Sequence, residues 1–174
     1  VTQGLYDVMK NDPRFEATIY DLKALKAAGK ADYIPAYQDT GYFLNKYLPR
    51  QSDVSTGGGN SELNYKQNSY VIRLADTYLM EAEALGGTGA RAQALLDAVR
   101  DRVGLAPVPV SIPAILAERR LELAGEGHRW FDLVRTGEAS AKLAFKGFTT
   151  GKNEAFPIPY SEFNNTKMVQ NPNY

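Results

Sequence analysis

The sequence predicts a mainly α-helical protein built from tetratricopeptide-like helical hairpins with long irregular loops. Apolar residues between positions 70 and 137 recur at three- and four-residue steps, the spacing of one helix face. Glycines divide this stretch into pieces of helix length, and short turns between helices make them antiparallel neighbours. The flanks lack that spacing. We therefore divide the chain into a loop-rich, tyrosine-rich segment (1–69), a helical core (70–137) and an extended strap (138–174).

In the first segment, a helix is predicted around residues 21–28 and ends at Gly29. Residues 41–48 (GYFLNKYL) are rich in aromatic side chains and precede Pro49, which favours a strand. Residues 52–61 (SDVSTGGGNS) have the composition of a flexible loop. The segment is thus expected to hold one short helix, one possible strand and long loops.

The helical core begins with a helix from Tyr70 that ends at the glycines of residues 86–89. Its predicted apolar face consists of Val71, Leu74, Ala75, Tyr78, Leu79, Ala82 and Leu85. A second helix is predicted over residues 90–103 and ends at Gly104. Its predicted inward residues are Leu95, Leu96, Val99 and Val103. Together the two helices form an αα-hairpin.

A third helix is predicted from Ser111, which is a good N-cap, to about Gly125, with Pro113 in its first turn. Residues 128–135 are predicted to form a further short helix, closed by Gly137. No clean 34-residue repeat accompanies this pattern. In the strap, residues 156–160 (FPIPY) are expected to be extended and to lie against the helices, because two prolines alternate with large side chains.

The composition excludes several classes of function. Twenty basic residues balance twenty acidic residues, so the chain lacks the charge of a nucleic-acid-binding protein, and we expect no nucleic-acid partner. The chain has no cysteine, which excludes disulfides, thiol nucleophiles and zinc–thiolate sites. No apolar run approaches the 18 residues that a membrane-spanning helix needs.

The arginines are concentrated in the helical core. Eight of the ten lie between residues 71 and 137, a stretch without lysine. Because the planar guanidinium suits bidentate pairing with carboxylates in partly buried places, we expect a structural ion-pair network there. Arginines scattered over helix surfaces are the alternative. The candidate members of the network are Glu118, Arg119, Arg120, Glu122, Glu126, Arg129 and Asp132.

Catalytic and metal sites find little support. The single histidine, His128, cannot form a site of two or three histidines, and we interpret it as a structural residue at a helix bend. The glutamates at 118, 122 and 126 are stacked along one helix beside arginines, which favours salt bridges over acid–base catalysis. The glycines at 57–59 lack the Lys-Ser/Thr ending of a phosphate loop. We expect no enzyme activity, no metal and no cofactor.

A tyrosine cluster is the candidate binding site. Six of the eleven tyrosines lie between residues 33 and 70. A tyrosine ring can lie against the C–H face of a sugar while its hydroxyl forms hydrogen bonds, so a glycan is the expected ligand. The alternative is that each ring packs on the helical core. The candidate ligand residues are Tyr33, Tyr37, Gln38 and Tyr42.

Several motifs, in order, resemble those of SusD/RagB-type proteins. Residues 73–84 (RLADTYLMEAEA) are similar to the family's R-x-A-[DE]-x-x-L-x-x-A-E-A stretch. Residues 97–105 (DAVRDRVGL) resemble its N-x-V-R-x-R-A-G-L helix end. Residues 118–133 (ERRLELAGEGHRWFDL) resemble its signature E-R-R-x-E-L-x-x-E-G-x-R-x-x-D-L. The tail matches at 157–162 (PIPYSE) and 170–174 (QNPNY), and residues 12–14 (DPR) and 41–47 (GYFLNKY) fit looser patterns.

The resemblance fits the C-terminal part of a SusD-like α–α superhelix and implies a bacterial surface lipoprotein of the Bacteroidota. It implies non-catalytic capture of extracellular glycan, or another nutrient, at the outer membrane, together with a TonB-dependent transporter as partner. Because the chain starts Val-Thr-Gln without an initiator Met, we expect it to be one structural unit of a longer parent. The lipid anchor is expected on the missing N-terminal part. No binding residue is carried over by motif.

Two alternatives to glycan capture remain open. In the first, the chain is a tetratricopeptide-type scaffold that holds a peptide in an apolar groove between helices. In the second, it is a glycosidase. That hypothesis requires two carboxylates facing each other across a pocket, and pairing of Glu118, Glu122 and Glu126 with arginines contradicts it.

Overall fold

The computed structural model describes residues 1–60, 63–164 and 166–174, and they form two compact units, Val1–Gly127 and His128–Tyr174. The architecture is mainly helical, as predicted. In the described part of the chain, no helix is long and apolar enough to cross a membrane. The division of the chain into three segments at residues 69 and 137 was based on composition, and it stays a prediction.

The first unit begins with short elements: α1 (Gln3–Met9), α2 (Phe15–Thr18), β1 (Ile19–Asp21), α3 (Leu22–Ala27) and β2 (Tyr42–Leu44). The helix predicted near residues 21–28 is α3, and Asp21 caps it because its side chain accepts a hydrogen bond from the Ala24 amide. The predicted strand is shorter than expected, because only residues 42–44 pair antiparallel with β1. A small core of Met9, Ile19 and Ala124 lies beneath these elements.

The loop after β2 contains a 3₁₀ turn (Gln51–Asp53) and an isolated bridge between Val54 and Tyr65. The predicted flexible loop, residues 52–61, lies largely within the described residues, and Ser61 lies outside them. The bridge closes the loop at its base, since the Ser55 amide donates to the Asn64 carbonyl at 2.7 Å.

The helical core of this unit consists of α4 (Leu74–Ala84), α5 (Gly89–Asp101) and α6 (Ile112–Glu122). As predicted, α4 and α5 form an αα-hairpin, and α6 packs on it around the fully buried Ile115. The Ser111 side chain caps α6 by accepting from the Ala114 amide. The buried residues of the cluster are Leu79, Ala82, Ala92, Leu95, Leu96, Val99 and Ile115.

The predicted start of α4 at Tyr70 is wrong. Arg73 is extended, with φ −138° and ψ 161°, and the helix begins only at Leu74. The guanidinium of Arg73 is bound to carboxylates beside α6, which holds the chain out of the helix at that point. Val71, Leu74 and Leu85 are exposed and do not belong to the buried face that the sequence predicted.

The second unit contains α7 (Arg129–Arg135), α8 (Ala139–Leu143), 3₁₀ turns at Ala144–Lys146 and Tyr160–Phe163, and an irregular tail. The predicted short helix is α7, with His128 at its N-cap position. Residues 139–143 form a helix rather than a strap. The tail does cover α7, since the ring of Phe156 stacks on Trp130 at 5.7 Å between centroids.

Candidate functional site

Tyr33 lies in the loop between α3 and β2 and is held on three sides. Its hydroxyl donates to Asp39 Oδ2 at 3.1 Å, and its ring meets the Phe43 ring edge-on at 5.4 Å between centroids. The Lys26 ammonium lies 5.3 Å from the ring centroid. Desolvation and the hydrogen bond to Asp39 raise the Tyr33 pKa, so this residue is a neutral phenol at pH 7. These contacts give the loop a fixed conformation.

The apex of the same loop presents Tyr37 and Gln38 to solvent. Tyr37 is 93% exposed. Gln38 adopts the left-handed conformation, with φ 62°, and the Asp39 amide closes the turn by donating to the Ala36 carbonyl at 3.0 Å. A second turn follows, since Asp39 Oδ1 accepts from the Gly41 amide at 3.0 Å. The loop therefore displays an aromatic ring and an adjacent amide.

Tyr42, the fourth predicted ligand residue, lies in β2 and faces a different neighbour. Its ring stacks on Tyr6 with centroids 4.0 Å apart and an interplanar angle of 14°. The residue is half-buried, and its carbonyl accepts a hydrogen bond from the Val1 nitrogen at 2.8 Å. The structure thus brings Tyr33, Tyr37 and Gln38 together on one loop and places Tyr42 in a packed ring pair.

The predicted ion-pair network is centred on Glu118 and Glu122, one turn apart on α6. Arg14 joins them, because its Nη1 lies 2.5 Å from Glu118 Oε1 and 2.9 Å from Glu122 Oε2. Arg100 approaches the other oxygen of Glu118 at 2.7 Å. All four charged side chains are largely buried. The network therefore ties the segment around α2 and the end of α5 to the C-terminal half of α6.

A second shared cation, Arg73, connects Glu122 to Glu126. Its Nη1 lies 2.5 Å from Glu122 Oε1, and its Nε lies 2.7 Å from Glu126 Oε2. Burial by itself raises the pKa of Glu122, but hydrogen bonds from Arg14 and Arg73 outweigh burial and lower that pKa to about 2. Both carboxylates are thus ionised at pH 7.

The Lys46 ammonium lies 2.6 Å from Glu126 Oε1, and it also donates to the carbonyls of Glu122 and Ala124. Burial lowers the Lys46 pKa, although the hydrogen bond to Glu126 acts in the opposite direction. The Glu126 pKa is lowered overall, because the bonds from Arg73 and Lys46 exceed the effect of burial. Lys46 thereby anchors the chain after β2 to the end of α6.

Not every predicted member belongs to this centre. Arg119 forms a separate buried pair with Asp76, at 2.7 Å. Arg120 was predicted in the network, but its guanidinium instead donates to the Gly4 carbonyl at 2.9 Å near the surface. In the second unit, Asp132 pairs with Arg135 at 2.7 Å, and Arg129 is the first residue of α7.

The structure contradicts the glycosidase hypothesis. Each of the three glutamates at 118, 122 and 126 is bound by at least two cationic side chains. A general acid needs a raised pKa, whereas Glu122 and Glu126 have lowered values. Within the described ranges, no cluster of His, Asp and Glu is suited to a metal ion.

Three cations of the network were not among the predicted members: Arg14, which binds both Glu118 and Glu122, and also Lys46 and Arg73. They lie far from the signature along the chain, with 104 residues separating Arg14 from Glu118. One signal was available. Arg14 lies in the motif at residues 12–14, and Arg73 is the first residue of the motif at residues 73–84. An arginine in a family with carboxylate-rich motifs is a candidate ion-pair partner for those carboxylates.

The comparison with known families decides the identity of the chain. A model of the SusD family matches residues 6–174. The chain belongs to the SusD family. A SusD-like protein of Formosa agariphila is 34% identical over 124 residues, which are 62% of this chain and 25% of that protein. A SusD-like protein of Bacteroides ovatus is 28% identical over 138 residues, 75% of this chain and 24% of that protein.

Solved structures of glycan-binding proteins resemble the chain along all or nearly all of its length. A laminarin-binding SusD-like protein is 67% identical, with a TM-score of 0.96 over 100% of this chain and 38% of that protein. Surface glycan-binding protein A of Bacteroides thetaiotaomicron, in complex with laminarihexaose, is 32% identical, with a TM-score of 0.85 over 98% of this chain and 40% of that protein. The SusD-family chain therefore spans about a quarter of the curated relatives and about two fifths of the solved ones.

Proposed function

We propose that this chain takes part in the non-catalytic capture of extracellular glycan at the bacterial outer membrane. The observation that carries the proposal is the 67% identity, along the entire chain, to a laminarin-binding SusD-like protein. A relative at 32% identity was solved with laminarihexaose, so the glycan class is shared across distant members. A laminarin-type glucan is therefore the proposed cargo.

The loop of Tyr33, Tyr37 and Gln38 is the proposed contact surface. An exposed ring can cover the C–H face of a glucose unit, while the neighbouring amide donates to and accepts from its hydroxyls. Tyr33 supports the loop from below through Asp39. Tyr42 remains in the proposed set, and its stacking on Tyr6 limits its contribution to the exposed edge of the ring.

The buried charges serve this surface as a scaffold. Arg14 and Lys46 lie before and after the segment that carries the loop, and both are fixed to α6, Arg14 through Glu118 and Lys46 through the Glu122 carbonyl. Preorganised contact residues bind more tightly, because less conformational entropy is lost on binding. Delivery to a TonB-dependent transporter, the position on the extracellular face and a lipid anchor outside this chain are further parts of the proposal, and the family resemblance supports them.

The peptide-scaffold alternative receives less support. A groove for an amphipathic peptide is apolar, with anchor pockets at helical spacing. The cavity that opens beside α6 is instead lined by charged groups that include Arg14, Arg73 and Glu122. The exposed ring of Tyr37 on a loop is the arrangement that favours sugar over peptide.

Tyr37→Ala tests the site. We expect retention on a laminarin affinity gel, and calorimetric affinity for laminarihexaose, to fall by a few-fold to about tenfold, the usual contribution of one stacked ring. Tyr160→Ala is the matched control, because Tyr160 is a comparably exposed tyrosine (88%) in the second unit. Equal retention of both variants and the wild type would show that the loop is not the contact surface.

A further inference from the structure

A cavity of about 470 Å³ opens in the first unit, beside the ion-pair centre and apart from the tyrosine loop. Its walls come from α2, the chain after β2, the loop before α4 and the end of α6. Its volume lies in the range of small-molecule sites. Among the residues that line it are Thr18, Asn45, Arg50, Gln67, Tyr70 and Arg102.

The charge of the cavity wall is unbalanced. Five cationic side chains line it, against three carboxylates. The three carboxylates are Asp53, Glu122 and Glu126. Arg14, Lys46 and Arg73 are paired with Glu122 and Glu126, and Arg14 also with Glu118 outside the lining. The remaining charged groups of the wall are Arg50, Arg102 and the single carboxylate of Asp53, so this part of the wall keeps a positive charge.

These two guanidiniums keep donors available for a ligand. Arg102 binds Glu122 through Nη2 alone, and its side chain is 57% exposed. Arg50 is exposed and forms no ion pair or side-chain hydrogen bond with any residue that the structure describes. Guanidinium groups recognise carboxylate and sulfate through paired N–H donors. The part of the cavity wall that these two residues form is thus suited to an anionic group.

The rest of the lining is suited to a sugar ring. Tyr70 is 59% exposed and offers an aromatic face, and Gln67 adds an amide. Asn45 Oδ1 is buried and has no hydrogen-bond partner within the described residues, while its Nδ2 donates to the Glu16 carbonyl at 2.8 Å. That bond fixes the amide with its acceptor unpaired. Because that oxygen is almost completely shielded from solvent, Asn45 shapes the cavity wall, and the hydrogen bonds to a sugar are assigned to Gln67.

We propose that this cavity is a second glycan subsite, which binds an acidic sugar unit carrying a carboxylate or a sulfate. The proposal rests on glycan capture as the function of the chain, and it extends the proposed cargo from a neutral laminarin-type glucan to glycans that carry an acidic unit. The anionic group pairs with Arg50 and Arg102, and the ring lies against Tyr70. A neutral glucose unit leaves both guanidiniums unpaired, and a bare inorganic anion leaves most of the cavity unfilled.

Arg50→Gln in the intact protein is the direct test, since Arg50 supports no other described side chain. The probes are tri-galacturonate for the carboxylate, a sulfated carrageenan tetrasaccharide for the sulfate, and laminarihexaose as the neutral reference. We expect calorimetric affinity for whichever acidic probe binds to fall about tenfold, the worth of a hydrogen bond to a charged group. Affinity for laminarihexaose should not change.

Arg91→Gln is the matched control. Arg91 is also an exposed arginine, and it lies on α5 in a surface pair with Glu81 at 2.8 Å. Arg91→Gln removes the same charge at a different place on the surface. Equal losses of affinity for the acidic probe from Arg50→Gln and Arg91→Gln would therefore overturn the site in favour of general electrostatic attraction. A Tyr70→Ala variant that also weakens the acidic probe supports the subsite as a sugar site.

Other outcomes separate this proposal from the function on which it rests. If laminarihexaose binds and neither acidic probe does, the acidic subsite is refuted while glycan capture stands. If no saccharide binds, both are refuted. Hexa-aspartate binding as tightly as the acidic saccharides would overturn the saccharide assignment and identify an acidic peptide as the ligand.

Discussion

Two adjacent arginines of α6 provide a matched test of the buried charges. Arg119 is 4% exposed and pairs with Asp76 at 2.7 Å, whereas Arg120 donates to the Gly4 carbonyl near the surface. The two residues share a helix, a charge and a helix propensity. Alanine at each position therefore isolates the effect of burial and pairing.

We expect Arg119→Ala to lower the free energy of unfolding by about 3–5 kcal/mol, because it leaves the Asp76 carboxylate buried without its cation. Arg120→Ala removes a hydrogen bond to a carbonyl and should cost about 0.5–1.5 kcal/mol. Since domains are stable by only about 5–15 kcal/mol, the first variant loses a large fraction of the total.

Urea denaturation followed by circular dichroism measures both values. The double variant Arg119→Met with Asp76→Leu removes both charges and should recover part of the loss, since two apolar side chains leave no unpaired ion. Equal destabilisation by Arg119→Ala and Arg120→Ala would refute the assignment of a buried pair. A double variant as unstable as the sum of the single variants would show that the two residues are not coupled.

Two further predictions concern acid and backbone geometry. The Glu122 pKa is about 2 in the folded chain and 4.5 in its ordinary environment, so the unfolded state binds the proton first as the pH falls. The stability that this carboxylate contributes is complete above about pH 5 and is lost as the pH falls from there to about 2. Urea titrations at stepped pH should show that Glu122→Gln reduces the dependence of the free energy of unfolding on pH in this range. An unchanged pH dependence contradicts the pairing. A Cβ on Gly87, at φ 64°, would lie 2.7 Å from the Ile112 amide nitrogen, whereas one on Gly86, at φ 76°, meets nothing closer than 4.0 Å. Gly87→Ala should therefore cost about 1–3 kcal/mol more than Gly86→Ala in thermal unfolding, and equal costs would refute the clash.

The helical core was largely predictable from the sequence, because its signals are local. Apolar spacing identified α4 and α5, and Ser111 marked the start of α6 as an N-cap. The error at the start of α4 has a tertiary cause. Val71 and Leu74 continue the apolar spacing, but Arg73 is bound to Glu122 and Glu126, and this holds the backbone extended.

The candidate binding loop was predictable only as a composition. Tyr33, Tyr37 and Tyr42 are equivalent by spacing, and the sequence does not distinguish an exposed ring from a packed one. The distinction depends on distant partners. Tyr42 stacks on Tyr6, which precedes it by 36 positions, while Tyr37 occupies a turn apex without a ring partner among the described residues.

The sequence by itself determined the helical class, the capped helices and the family, because periodicity, caps and ordered motifs are properties of short segments. It also predicted that the arginines of the core pair with carboxylates. Only the tertiary structure decided which arginine meets which acid: Arg119 is buried against Asp76, and its neighbour Arg120 is not. The physical reason is that pairing requires a cation and a carboxylate within about 4 Å, and the folded path of the chain sets that distance.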